Sequence, residues 1–215
     1  MGLNPEAFKN HLYIPRNVEG EQNKEQTELL RKLEEVLKRR PEFVGLAPSG
    51  SVMKGYSNEK SDFDVWVVVD SSCLVSPLDC LNSSSEEFKE FTEQGMHVLI
   101  LHIANEIDIG SYEYMKDNKK FEPRIVGAVA TLTGLVTGSK IDKYRDQICQ
   151  KIKRLTLEQQ SALKNQVMDI LAYRDRMSID KIIKRIPELD TEDIIEIING
   201  RDELWQKRWD EVWER

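Results

Sequence analysis

The sequence predicts an α+β protein in which a small mixed β-sheet with flanking helices occupies residues 1–120 and an all-helical unit occupies residues 121–215. Three observations lead there. Short β-branched and aromatic runs are confined to the first half, helical periodicity takes over from Glu122, and no internal repeat or low-complexity tract interrupts either part.

Taken in order, Gln22 to Arg40 follows a polar arm and sets Leu29, Leu30, Leu33, Val36 and Leu37 at helical spacing, with Pro41 as a stop. Phe43 to Ala47 is short and apolar and runs into Pro48-Ser49-Gly50-Ser51, which predicts a strand ending at a glycine turn that then starts a short helix. Asp62 to Asp70, with Val65, Trp66, Val67, Val68 and Val69 in a row, predicts a strand buried on both faces. Ser71 to Ser85 is a serine-rich loop containing Pro77, and Ser85 is placed to cap a helix over 86–94 that Gly95 closes. Met96 to Ile103 predicts a further strand, and Glu106 to Tyr114 one that pairs beside it. Beyond a boundary near residues 115–122, helices are predicted over 123–133, 141–154, 157–174, 179–186, 192–198 and 201–213. Asp190-Thr191-Glu192 reads as a helix start.

A hydrophobic fraction of 40% over 215 residues supplies a real core. The longest uncharged run, Ile125 to Ser139, falls short of the roughly 20 apolar residues a spanning helix needs, so no membrane span is expected. The N-terminal residues lack the basic start and apolar core of a signal peptide, which predicts a cytoplasmic protein. Cys73, Cys80 and Cys149 match no metal or redox spacing and read as reduced thiols. A net charge of −7 argues against broad nucleic-acid binding and leaves cationic small molecules as plausible partners.

The chemistry concentrates in the stretch from Ser49 to Val65. Strand alternation projects Asp62 and Asp64 to one side, and two converging carboxylates repel each other until a divalent cation relieves them. The Gly50-Ser51 turn offers backbone N–H groups to phosphate oxygens. Asp108, between Ile107 and Ile109, is the candidate third carboxylate, with Glu106 in reserve; three acids would hold two magnesium ions about 4 Å apart. Each piece also has a plain structural reading, as a solvated strand end, a surface strand residue and an ordinary turn.

Gly50-Ser51, ten residues, then Asp62-Phe63-Asp64 on an apolar strand and a later Asp108 resembles the signature of the DNA polymerase beta-like nucleotidyltransferase superfamily. Gly50 to Gly55, with Ser61 before Asp62, is similar to the stretch in antibiotic, CCA-adding and minimal nucleotidyltransferases. The resemblance covers residues 43–112 and finds no motif in the helical part. It implies a nucleotidyltransferase domain over 1–120 in which Asp62, Asp64 and Asp108 are catalytic and hold two Mg2+ ions, with Asp108 on the metal that activates the attacking hydroxyl. It places Gly50 and Ser51 on the β- and γ-phosphates of a nucleoside triphosphate, with ATP the first choice. Lys54 and Ser61 complete the nucleotide-binding set: Lys54 either neutralises triphosphate charge or is solvated, and Ser61 either touches the nucleotide or shapes the start of the strand.

The expected reaction transfers a nucleoside monophosphate to a hydroxyl acceptor and releases pyrophosphate. A small-molecule acceptor is expected, with an RNA or tRNA 3′ end as the enzymatic alternative and a non-catalytic nucleotide-binding or interaction module as the alternative of another class. Trp205, Trp209 and Trp213 form a stripe expected to pack on the helical unit, with a homodimer contact or a base-stacking platform as the alternatives. His97 and His102 fall on opposite faces of one strand and read as structural; the basic stretch Lys140 to Arg154 is a solvated helix face or a phosphate contact.

Overall fold

The structure is a computed structural model that describes residues 24–50, 63–74, 76, 79–103, 120–134, 137–185 and 189–214. Among these, α1 (Lys24–Leu37) leads into β1 (Phe43–Pro48) and β2 (Phe63–Val69), and a 3-10 turn over Glu86–Phe88 runs into the short α2 (Lys89–Glu93) and then β3 (Met96–His102). The helical half consists of α3 (Pro123–Thr133), α4 (Ile141–Ile152), α5 (Leu157–Arg185) and α6 (Thr191–Trp213). No helix among the described residues is long and apolar enough to cross a membrane.

The described strands form one mixed sheet in the order β1-β2-β3, antiparallel between β1 and β2 and parallel between β2 and β3. Alternation along β2 sends Phe63, Val65, Val67 and Val69 to one face, where they pack with Leu30, Leu33 and Leu37 of α1 and with Phe88 and Phe91. Val68 points the other way and joins Val44, Ala47 and Ile103 in a cluster with the apolar faces of α3 to α6. The sheet therefore has a helical layer on each face. Full burial on both faces holds only for Val67 to Val69; Asp64 and Trp66 are half-buried. A register shift between Phe43 and Gly45 lets Phe43 and Leu46 share a face despite their odd spacing.

The outer edge of β1 is closed by residues 137 and 138. Leu46 N–H donates to Thr137 O at 2.7 Å and Thr137 N–H returns a bond to Leu46 O at 2.8 Å. Gly45 and Gly138 permit this approach, since a Cβ on either would overlap the opposing backbone. Lys140 Nζ adds a bond to Pro41 O at 2.7 Å.

The helical half departs from expectation in its lengths. Residues 157–185 are one helix rather than two, and 191–213 are another that runs through Gly200. The apolar phase drifts in both, but a drift does not break backbone hydrogen bonds, and a single internal glycine costs only about 1 kcal/mol. Asp190 caps α6 through a capping box: its carboxylate accepts from Asp193 N–H at 2.8 Å and the Asp193 carboxylate accepts from Asp190 N–H. Ser85 makes no side-chain cap; its hydroxyl accepts from Asn82 N–H inside the preceding loop. The expected strand over 106–114 lies outside the described residues.

Trp209 and Trp213 are buried and Trp205 packs against the same cluster, as the stripe predicts. Trp213 Nε1 donates to Thr133 Oγ1 at 2.8 Å, and Thr133 Oγ1 donates to Val129 O, which ties α6 to α3 through a buried polar chain. All three cysteines are free, Cys80 and Cys149 buried and Cys73 exposed.

Candidate functional site

Asp64 is the second residue of β2, and its neighbours hold it from three sides. Ser49 N–H, just past the end of β1, donates to Asp64 O at 2.8 Å, so the glycine turn begins directly beside this residue. Phe63 N–H donates to Gly95 O at 3.0 Å, which anchors the start of β2 to the turn that opens β3. Parallel pairing then sets Asp64 level with His97, whose Nδ1 lies 3.0 Å from Asp64 Oδ1. A carboxylate only accepts, so Nδ1–H donates.

Gly50 closes the other side. Its φ of 81° is a left-handed conformation that side chains disfavour. A Cβ there would overlap Asp64 Oδ2 and stand 3.1 Å from Asp64 Cγ. The Asp64 carboxylate is therefore divided, with Oδ1 on the His97 imidazole and Oδ2 against the glycine turn. Its side chain is 28% exposed and that of His97 56%, so solvent and ligands reach both.

Of the residues singled out in the sequence, Gly50 and Asp64 are thus brought together. Ser51, Lys54, Ser61, Asp62, Glu106 and Asp108 lie outside the described residues. β1 and β3 flank β2 on its two edges, and the residue level with Asp64 on β3 is His97. The contact between His97 and Asp64 is one that the sequence reading did not anticipate. The signal that could have found it is positional: His97 and Asp64 are each the second residue of their strands.

Asp64 Oδ2, a hard oxygen with no hydrogen bond among the described residues, lies against Gly50 and fits a magnesium ion, which prefers carboxylate and phosphate oxygens. Among the described residues no group of three or more His, Cys, Asp or Glu side chains gathers that could hold a metal ion. A groove of about 460 Å³ along α6, lined by Glu192, Ile195, Glu196, Asn199 and Glu203, contains none of the site residues.

At the far end of β2, Asp70 links sheet and helices. Its carboxylate accepts from Ser72 N–H at 2.9 Å, from the Ser72 hydroxyl and from the buried Tyr144 hydroxyl of α4. Burial pushes the Asp70 carboxyl up, but the bonds from Ser72 and Tyr144, with the charge of Lys143, bring it below its ordinary range. Burial and the Asp70 carboxylate together push the Tyr144 hydroxyl up, so it stays protonated. The basic stretch of α4 is partly engaged in structure: Arg145 donates to Leu132 O and Gly134 O, closing the end of α3.

No protein-family model, curated protein or solved structure matches this chain.

Proposed function

We propose that the protein is a magnesium-dependent nucleotidyltransferase that joins a nucleoside monophosphate, from a nucleoside triphosphate such as ATP, to a hydroxyl on a small acceptor. One observation carries the reading: the left-handed Gly50 turn lies against Oδ2 of Asp64, the arrangement needed to bring phosphate oxygens and a carboxylate to one point. In this reading the backbone N–H groups of Gly50 and Ser51 bind the β- and γ-phosphates. Asp62 and Asp64 present carboxylate oxygens to the metal, and Asp108 takes the proton of the acceptor hydroxyl. The acceptor oxygen forms a bond to the α-phosphorus, the α–β bridging bond breaks, and pyrophosphate leaves. Bound magnesium would supply charge neutralisation for the triphosphate and the departing pyrophosphate. Positioning by the turn and the strand accounts for most of the remaining catalysis.

The test is incubation with labelled triphosphates, magnesium and a panel of hydroxyl acceptors, followed by measurement of transfer and pyrophosphate release. Transfer that falls at least about a hundredfold in Asp62→Asn and Asp64→Asn supports the reading. No transfer to any acceptor, or transfer indifferent to both substitutions, removes it.

A second reading has its own support, because the residue beside Asp64 on β3 is a histidine rather than a carboxylate. In that reading the domain binds a nucleoside triphosphate through the same turn without turning it over. Magnesium-dependent nucleotide binding with no pyrophosphate release across the acceptor panel distinguishes it.

A further inference from the structure

We propose that His97 is a positioning residue for the Asp64 carboxylate, holding Oδ1 so that Oδ2 alone is presented at the Gly50 turn to a divalent cation. The inference rests on reading Asp64 as a metal ligand and adds what that reading lacks, a cause for the carboxylate's orientation.

The geometry carries it. A free aspartate on a strand rotates about χ1 and χ2 and offers either oxygen, or both, to a cation. Here the Nδ1–H bond to Oδ1 at 3.0 Å fixes one oxygen, and the space left by the missing Gly50 side chain receives the other. His97 is itself held in register, since parallel pairing matches 63–69 with 96–102 residue for residue. The imidazole is more than half exposed, so the bond does little for the core, and its consequence falls on the carboxylate. A hydrogen-bond donor on a metal-binding carboxylate sets its direction and removes its second binding mode, and loss of such a partner typically weakens metal binding by about 10–100-fold.

The chemistry distinguishes replacements by where they place a donor. An asparagine amide at this position reaches from the same branch point as Nδ1, whereas a glutamine amide lies one bond further out, where Nε2 stands. His97→Asn is therefore expected to retain the function and His97→Gln to lose it.

The experiment is titration of the full chain with Mn2+, without nucleotide, followed by electron paramagnetic resonance, with thermal unfolding of every variant. Wild type binds; His97→Ala and His97→Gln bind about tenfold more weakly. His97→Asn recovers to within about threefold of wild type, and all melting temperatures stay close together because the site is exposed. Unchanged Mn2+ affinity in His97→Ala, with affinity lost in Asp64→Asn, overturns the positioning role and leaves the metal-site reading intact. Unchanged affinity in Asp64→Asn overturns both. A nitrogen coupling from imidazole bound directly to Mn2+ also overturns the proposal, because His97 would then be a ligand. His97-dependent Mn2+ binding in a protein that never releases pyrophosphate supports the inference while removing the enzymatic function.

Discussion

Replacing Gly50 by alanine tests the closeness of the turn and the carboxylate without reference to any ligand. Two penalties add in the wild-type background. The φ of 81° costs an L-residue about 1–2 kcal/mol. The new methyl also overlaps Asp64 Oδ2, so the carboxylate must swing away and release His97. A hydrogen bond is worth about 0.5–1.5 kcal/mol net, and the exposure of this pair holds it to about 0.5–1. Gly50→Ala should therefore cost about 1.5–3 kcal/mol. In a chain of 215 residues that lowers the melting temperature by about 3–12 °C. In an Asp64→Ala background only the backbone penalty remains, because the nearest retained atom, Asp64 Cβ, stands 3.3 Å from the added methyl. Urea titration of wild type, the two single variants and the double variant should give a coupling of about 0.5–1 kcal/mol. Equal costs for Gly50→Ala in both backgrounds would refute the close approach.

Two further outcomes concern the contacts that join sheet and helices. Trp213→Phe keeps an aromatic ring but removes the donor to Thr133 Oγ1 and part of the buried indole volume, and should lower stability by at least about 1–2 kcal/mol in urea unfolding; adding Thr133→Val should recover the hydrogen-bond part of that loss, since no buried hydroxyl is then left underused. For Asp70 the folded carboxyl lies below its ordinary value of 3.8, so its stabilisation is present above that value and lost as pH falls through the folded pKa. Tyr144→Phe removes one of the bonds responsible, so unfolding midpoints compared between about pH 6 and pH 3 should drop less steeply than in wild type.

The parts legible in the sequence are those set by local chemistry. Helix α3 runs over the expected 123–133 because Pro123 suits its first turn and Gly134 ends it. Strand β2 follows from its β-branched and aromatic run from Val65 to Val69, and the meeting of Gly50 with Asp64 follows from a turn placed just ahead of an acidic strand. The rest needed long-range information. The uninterrupted α5 and α6 keep their backbone hydrogen bonding past the points where the apolar pattern changes and, in α6, through a glycine, which an apolar pattern does not report. His97 acquires its contact only through parallel register with a strand 33 residues earlier, which no local pattern reports. Ser85 had the residue type of a cap, but its hydroxyl serves the loop before the helix.

The most direct measurement is a crystal structure of the protein with Mn2+ and a non-hydrolysable nucleoside triphosphate. The expected complex has phosphate oxygens on the Gly50 and Ser51 N–H groups, a Mn2+ ion bound by Asp64 Oδ2 and by Asp62, and His97 still on Oδ1 of Asp64. A nucleotide bound elsewhere, or a metal that leaves Asp64 Oδ2 free, would contradict it.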